Sequence, residues 1–143
     1  MSKIIYQGRR ATPKNIVLVL DTGTQKAAML NPAASQAVRS YTPDFDWSYG
    51  GNGANQLALA ILLDAIGNQP IEQRVSPETA AALADRYHIL FCGDHVTHFG
   101  ESWKLEDDVI YGWLRNVVSQ AKVKKEQYSH EPTFPKELGG QPT

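Results

Sequence analysis

The feature that most constrains this chain is an aromatic, glycine-rich segment running straight into an apolar one. Residues 44–63 read Asp-Phe-Asp-Trp-Ser-Tyr-Gly-Gly-Asn-Gly-Ala-Asn-Gln-Leu-Ala-Leu-Ala-Ile-Leu-Leu. From Ala54 to Ile66 the apolar residues Leu57, Leu59, Ile61, Leu62, Leu63 and Ile66 wrap nearly all round a helix, with Gly67 placed as its C-cap. A helix apolar on every side belongs in the middle of a fold. The junction before it turns backbone N–H groups and a helix N-terminus toward whatever lies in front, which suits an anion or a polar ligand. A tight turn leading into a buried helix has the same sequence, so the junction alone does not identify an activity.

The rest of the chain supplies partners for that helix. Residues 3–10 read as a first strand with Ile4 and Tyr6 on one face, and Ile16–Leu20 as a well-buried second strand. Asp21-Thr22-Gly23-Thr24 is turn chemistry, and residues 25–30 return as a third strand that Pro32 ends. Together they predict a three-stranded antiparallel meander. Residues 33–53 read as irregular. Ser76-Pro77-Glu78 starts a second helix, with serine as N-cap, proline in the first turn and an acid facing the dipole. It either stops near Cys92-Gly93 or bends there and runs on to Phe99. Val109, Ile110, Trp113, Leu114, Val117, Val118 and Ala121 form the apolar stripe of a last helix, with Glu106, Asp107 and Asp108 at its positive end. The fold class is α+β: the meander packed on a buried central helix, plus two further helices. Residues 1–121 are expected as a single domain, and residues 122–143 as a disordered, polar tail.

Composition narrows the function classes. With 14 basic and 15 acidic residues the net charge is −1, which gives no global drive toward nucleic acid or an anionic membrane. One cysteine, Cys92, excludes an intramolecular disulfide and fits a reducing compartment. The first residues lead directly into strand-like sequence without a signal-peptide apolar region. The longest apolar run, Leu57 to Ala65, is broken by Asp64 and is far too short to span a bilayer. A cytoplasmic protein is the expectation.

Candidate chemistry is sparse. Asp21-Thr22-Gly23 after a buried strand resembles the aspartic-protease signature, in which a carboxylate from each half shares a proton and activates water. A helix-rich chain departs from those nearly all-β enzymes, and the simpler reading is a hairpin turn capped by the aspartate. On a continuous helix His88, Cys92 and His95 would share a face, and imidazole with thiolate is zinc chemistry. The fourth ligand is missing and Gly93 interrupts, so Cys92 reads as a small buried hydrophobe. Neither a nucleophile motif nor a phosphate or dinucleotide loop is present. The aromatic segment is the better candidate: Phe45, Trp47 and Tyr49 alternate, as an extended strand would present rings on one side. Asn52 and Gln56 could read a polar ligand, Trp47 or Tyr49 could stack on it, and Arg10 could supply a cation for phosphate. The alternative is that the rings pack on the meander and the central helix.

Tyr6-x-Gly8-x-Arg10, the run from Phe45 through Trp47-Ser48-Tyr49-Gly50-Gly51-Asn52-Gly53-Ala54 to Gln56-Leu57-Ala58-Leu59, and Trp103-x-Leu105 with Ile110-x-x-Trp113-Leu114 together resemble a small bacterial and phage domain family of unknown function. Its usual central motif is Trp-Gly-Tyr-Gly-Gly-Ser-Gly-Pro-x-Gln-Leu-Ala-Leu. This chain departs from it by Ser48 for glycine, Asn52 for serine and Ala54 for proline. The resemblance spans residues 3–118 and implies a setting on phages, plasmids and other mobile elements, with no activity attached.

These readings converge on a non-catalytic accessory protein of a mobile element that acts by binding. It would either inhibit a host protein such as a defence nuclease or sequester a nucleotide-like small molecule. Arg10, Trp47, Tyr49, Asn52 and Gln56 are the expected ligand-binding residues, and no cofactor or metal is expected. The alternatives are a dimeric aspartic-type hydrolase using Asp21 and a zinc-stabilised interaction domain using His88, Cys92 and His95.

Overall fold

Alternating apolar residues make strands, and the computed structural model, which describes residues 3–129, places them in one antiparallel sheet. The expected strands form as β1 (Ile4–Arg9), β2 (Ile16–Asp21) and β3 (Lys26–Met29). The sheet is four-stranded rather than three-stranded, because β4 (Ser102–Glu106) joins the free edge of β1 to give the order β3-β2-β1-β4. Its signal is the short alternation of buried Trp103 and Leu105 with exposed Ser102 and Lys104. Register sets Tyr6 opposite Val19 and Leu105, and Gly8 opposite Val17 and Trp103. Tyr6, Gly8, Val17, Trp103 and Leu105 are buried on that face. The opposite face carries Gln7, Arg9, Ile16, Leu18, Ser102 and Lys104, none of them buried. At the far edge β3 is exposed along its whole length.

The chain divides into two units, residues 1–111 and 112–143. In the first, a short helix α1 (Ala33–Val38) occupies part of the segment expected to be irregular. It has no side-chain cap, so nothing in the sequence announces its start. The central helix α2 spans Asn52–Gly67, opening on Gly51 and closing on Asn68 as the C-cap residue. Leu57, Leu59, Ile61, Leu62 and Ile66 are buried on all sides of it, each worth about 1.5–3 kcal/mol of transfer free energy. It packs against α1, against α3 (Pro77–Asp94) and against the 3-10 turn Val96–His98. Ser76 caps α3 by accepting from the Thr79 N–H at 3.1 Å. The helix carries Cys92 and Gly93 and ends at Asp94, so there are three α-helices besides α2 rather than two.

Asp64 is the carboxylate of this apolar helix. It accepts the Tyr6 hydroxyl at 2.6 Å and the Asn68 amide at 3.1 Å, both on Oδ2. Tyr6 is fully buried, and burial beside that carboxylate drives its phenol far above the usual range, which keeps it a donor. Tyr111, pushed up to about 12 mainly by burial, donates to the Ala65 carbonyl at 2.8 Å.

Helix α4 (Asp107–Ser129) begins in the first unit, where Ile110 is buried and Val109, expected on the apolar stripe, is 45% exposed. In the second unit Leu114 and Val117 are buried along it, and Arg115 and Asn116 are exposed. The helix continues to Ser129, beyond the point where the tail was expected to begin. Residues 130–143 of that tail lie outside the described residues. Among the described residues no helix is long and apolar enough to cross a membrane.

Candidate functional site

Arg10 follows the last residue of β1 and organises the aromatic segment. Its Nη1 donates to Asp46 Oδ1 at 2.6 Å, and its Nη2 to the Trp47 carbonyl at 2.8 Å and to Ser48 Oγ at 3.2 Å. Its Nε pairs with Glu101 at 3.3 Å, and the guanidinium lies 4.9 Å from the centre of the Trp47 ring. Trp47 is 0% exposed and donates its indole N–H to the Gly100 carbonyl at 2.8 Å. Its ring meets Trp103 edge-on, and Phe99 stacks on Trp103 at 4.1 Å. Ser48, at φ 81, holds the chain in the left-handed region and donates to the Phe99 carbonyl at 2.6 Å. Phe45 is buried as well, and Tyr49 points outward, 57% exposed, with its hydroxyl on Asp46. The rings therefore do not share one side.

Asp46 is the hub of this arrangement. Partial burial would raise its pKa, but hydrogen bonds from Tyr49, Arg10 and the Trp47 N–H outweigh that and hold it below the usual carboxylate range. A depressed carboxylate pKa stabilises the fold above the unfolded value, near 3.9, and that contribution is lost as pH falls toward the folded value. Urea midpoints followed from pH 6 to pH 3 should drop most steeply below about pH 4. In Asp46→Asn that drop should be shallower. Gly53 allows Asp46 to press on the first turn of α2, since a Cβ there would lie 2.6 Å from Asp46 Cβ.

The first turn of α2 thus already packs against Asp46. A hollow of about 400 Å³ beside it holds Asn52 with Asp44, Asp46 and Lys14, and Lys14 is itself 3.5 Å from Asp44. With Arg10 committed to Asp46 and Glu101, the local charge has the wrong sign for phosphate.

Gln56 lies apart from this group. It is 0% exposed; its Oε1 accepts from the Tyr41 and Thr42 N–H groups at 2.6 and 3.2 Å. Its Nε2 donates to Ser35 Oγ at 2.8 Å and to the Arg39 carbonyl at 3.1 Å. Beside it Tyr41 Oη lies 2.8 Å from His88 Nε2, and His88 Nδ1 lies 2.6 Å from the Asp85 carbonyl. The carbonyl assigns the ring proton to Nδ1, so Tyr41 donates to Nε2. Arg39 grips Asp85 through Nε and Nη2 at 2.7 and 3.1 Å. This network ties α1, the following loop, α2 and α3 together. Gln56→Leu should lower stability by about 2–3 kcal/mol, because it strands buried N–H and C=O groups. A urea midpoint within error of the parent would refute that.

The alternatives from the sequence are also placed. Asp21 Oδ1 accepts from the N–H groups of Gly23 at 2.8 Å and Thr24 at 3.3 Å, capping the β2–β3 hairpin. Cys92 is buried, and burial pushes its thiol above the usual value. Among the described residues no three His, Cys, Asp or Glu side chains come together as a metal site.

The outer face of the sheet carries no sequence motif, and part of it comes from β4. Gln7, Arg9, Ile16, Leu18, Ser102 and Lys104 line a hollow of about 520 Å³ there. Toward β3 the face continues through Leu20 and Ala27 to Met29, which is 66% exposed. A cleft of about 840 Å³ opens elsewhere, between the β2–β3 hairpin and α1 and α2, with Asp21, Lys26, Asp64 and Asn68 among its lining.

Comparison with curated proteins and with solved structures gives no match. Residues 6–116, the span from Tyr6 on β1 into α4, match one family model, and the chain belongs to that family of unknown function, DUF6166.

Proposed function

We propose that this protein is a non-catalytic binding protein of a phage or other mobile element, and that its working surface is the outer face of the sheet. The observation that carries the reading is the character of that face: aliphatic Ile16 and Leu18 lie beside cationic Arg9 and Lys104, and none of these side chains is buried. Of the residues expected to bind from sequence, Arg10, Trp47 and Gln56 have their polar groups turned to internal partners, and Tyr49 and Asn52 remain exposed. Sequestration of a nucleotide-like molecule is the mode favoured by the concave, basic part of the face. Blocking of a host protein is the second mode, favoured by exposed Met29 and its neighbours Leu20 and Ala27.

Native mass spectrometry of the protein purified from its host tests the reading. The parent should carry a mass above that of the bare chain, and Leu18→Glu should lose it. Tyr49→Ala with Asn52→Ala should keep it. A bare parent, or an adduct lost only with the loop variant, would overturn the assignment to the sheet face.

A further inference from the structure

We infer that the hollow on the outer face of the sheet is a binding site for a nucleoside phosphate, with Arg9 and Lys104 as its phosphate-holding groups. This rests on the binding-protein reading above and names its ligand. Arg9 pairs across the ladder with Ser102, and Gln7 with Lys104, so Arg9 and Lys104 are diagonal neighbours on adjacent strands. Such diagonal positions are about 7–8 Å apart at the backbone, and side chains of this length converge easily on one anion between them. Among the described residues neither cation has an ion-pair or hydrogen-bond partner for its side chain. The nearby acids are engaged elsewhere: Glu101 with Arg10 and Glu106 with Lys3. Among the described residues no carboxylate lines the hollow.

The lining is therefore rich in donors. Arg9 offers a planar fork, Lys104 a mobile ammonium, and Ser102 and Gln7 a hydroxyl and an amide, a set that matches the several oxygens of a phosphate. The hollow is too large for phosphate alone: about 520 Å³ falls within the range of small-ligand sites, about 300–1,000 Å³. Ile16 and Leu18 on β2 form its apolar side, opposite Arg9 and Gln7. An anionic head beside an apolar shelf calls for a ligand with a charged end and a flat, weakly polar body. A nucleoside phosphate has both.

The test is an amide-resonance NMR titration of the full chain with ADP, with inorganic phosphate and with a single-stranded oligonucleotide. ADP should give saturable shifts at Gln7, Gly8, Arg9, Trp103 and Lys104. Arg9→Ala with Lys104→Ala, both exposed positions, should keep the parent spectrum elsewhere and bind ADP at least tenfold more weakly. Equal affinity for phosphate and ADP would overturn the nucleoside part of the site. Tighter binding of the oligonucleotide than of ADP would overturn the ligand class. Absence of shifts, or ADP binding undiminished in the double variant, would overturn the site. If ADP fails and Leu18→Glu still strips a bound mass from the native protein, the phosphate site falls alone; if neither has an effect, the binding surface falls with it.

Discussion

Trp47→Ala is expected to cost about 3–5 kcal/mol, the range for removing a large aromatic from a packed interior. The ring is inaccessible to solvent, with the Arg10 guanidinium near one face and Trp103 at its edge. Its removal also strands the Gly100 carbonyl that the indole N–H satisfies and releases the Arg10 cation from the ring. Domains of this size are stable by about 5–15 kcal/mol, so the loss would be a large fraction of the total. Urea unfolding followed by far-UV circular dichroism reads it directly. Tyr49→Phe removes one solvent-exposed hydroxyl and should cost about 1 kcal/mol or less in the same assay. Comparable midpoints for the two variants would refute the division of the segment into a buried ring and a surface ring. Lost binding in a Trp47 variant would then report unfolding before it reported any ligand contact.

Gly8→Val should be nearly as damaging, although a β-branched residue ordinarily favours a strand by up to about 1 kcal/mol. A Cβ at Gly8 would stand 2.4 Å from Trp103 Nε1 and Cε2 and 2.6 Å from Cζ2. The Trp103 ring has nowhere to retreat, since Phe99 stacks on it and Trp47 meets it edge-on. Overpacking of this kind costs about 1–3 kcal/mol and more where neighbours cannot give. The upper end is expected here, read as a lowered urea midpoint. Trp103→Ala in the same chain should recover part of the loss, giving a coupling of at least about 1 kcal/mol in a double-mutant cycle. Strictly additive effects would show that the clash is relieved some other way.

Tyr6-x-Gly8-x-Arg10 shows how far the sequence could be read. The period-two spacing was enough to put Ile4 and Tyr6 on one face of a strand. The reasons for the three motif residues were not readable, because each answers to a distant residue: Tyr6 to Asp64, Gly8 to Trp103, Arg10 to Asp46 and Glu101. The central helix was legible because apolar residues on all sides leave it no other place, and the Ser76-Pro77 cap because capping is local. Helix α1 opens on Pro32 without a side-chain cap and lasts less than two turns, and β4 offers only a brief alternation, so neither gave a periodic signal. The loop residues drew a binding reading because polar and aromatic side chains serve a ligand or one another with the same chemistry. Only their partners separate the two uses. Ser48 carries a related lesson: at φ 81 the glycine of the resembled motif would sit without strain, and the serine offsets its backbone cost with hydrogen bonds to Phe99 and Arg10.

The exposed edge at β3 governs how this protein behaves when concentrated. Lys26-Ala27-Ala28-Met29 offers two alanines and an exposed methionine, a row of backbone donors and acceptors with no strand beside it among the described residues, and Lys26 as its single charge. A like charge on every copy keeps such edges from zipping together. Lys26→Ala would remove that guard, and light scattering should then show self-association setting in at a lower protein concentration than in the parent; an unchanged onset would refute the role of Lys26. One ammonium group at the rim of the sheet is thus the charge that stands against edge-to-edge pairing along β3.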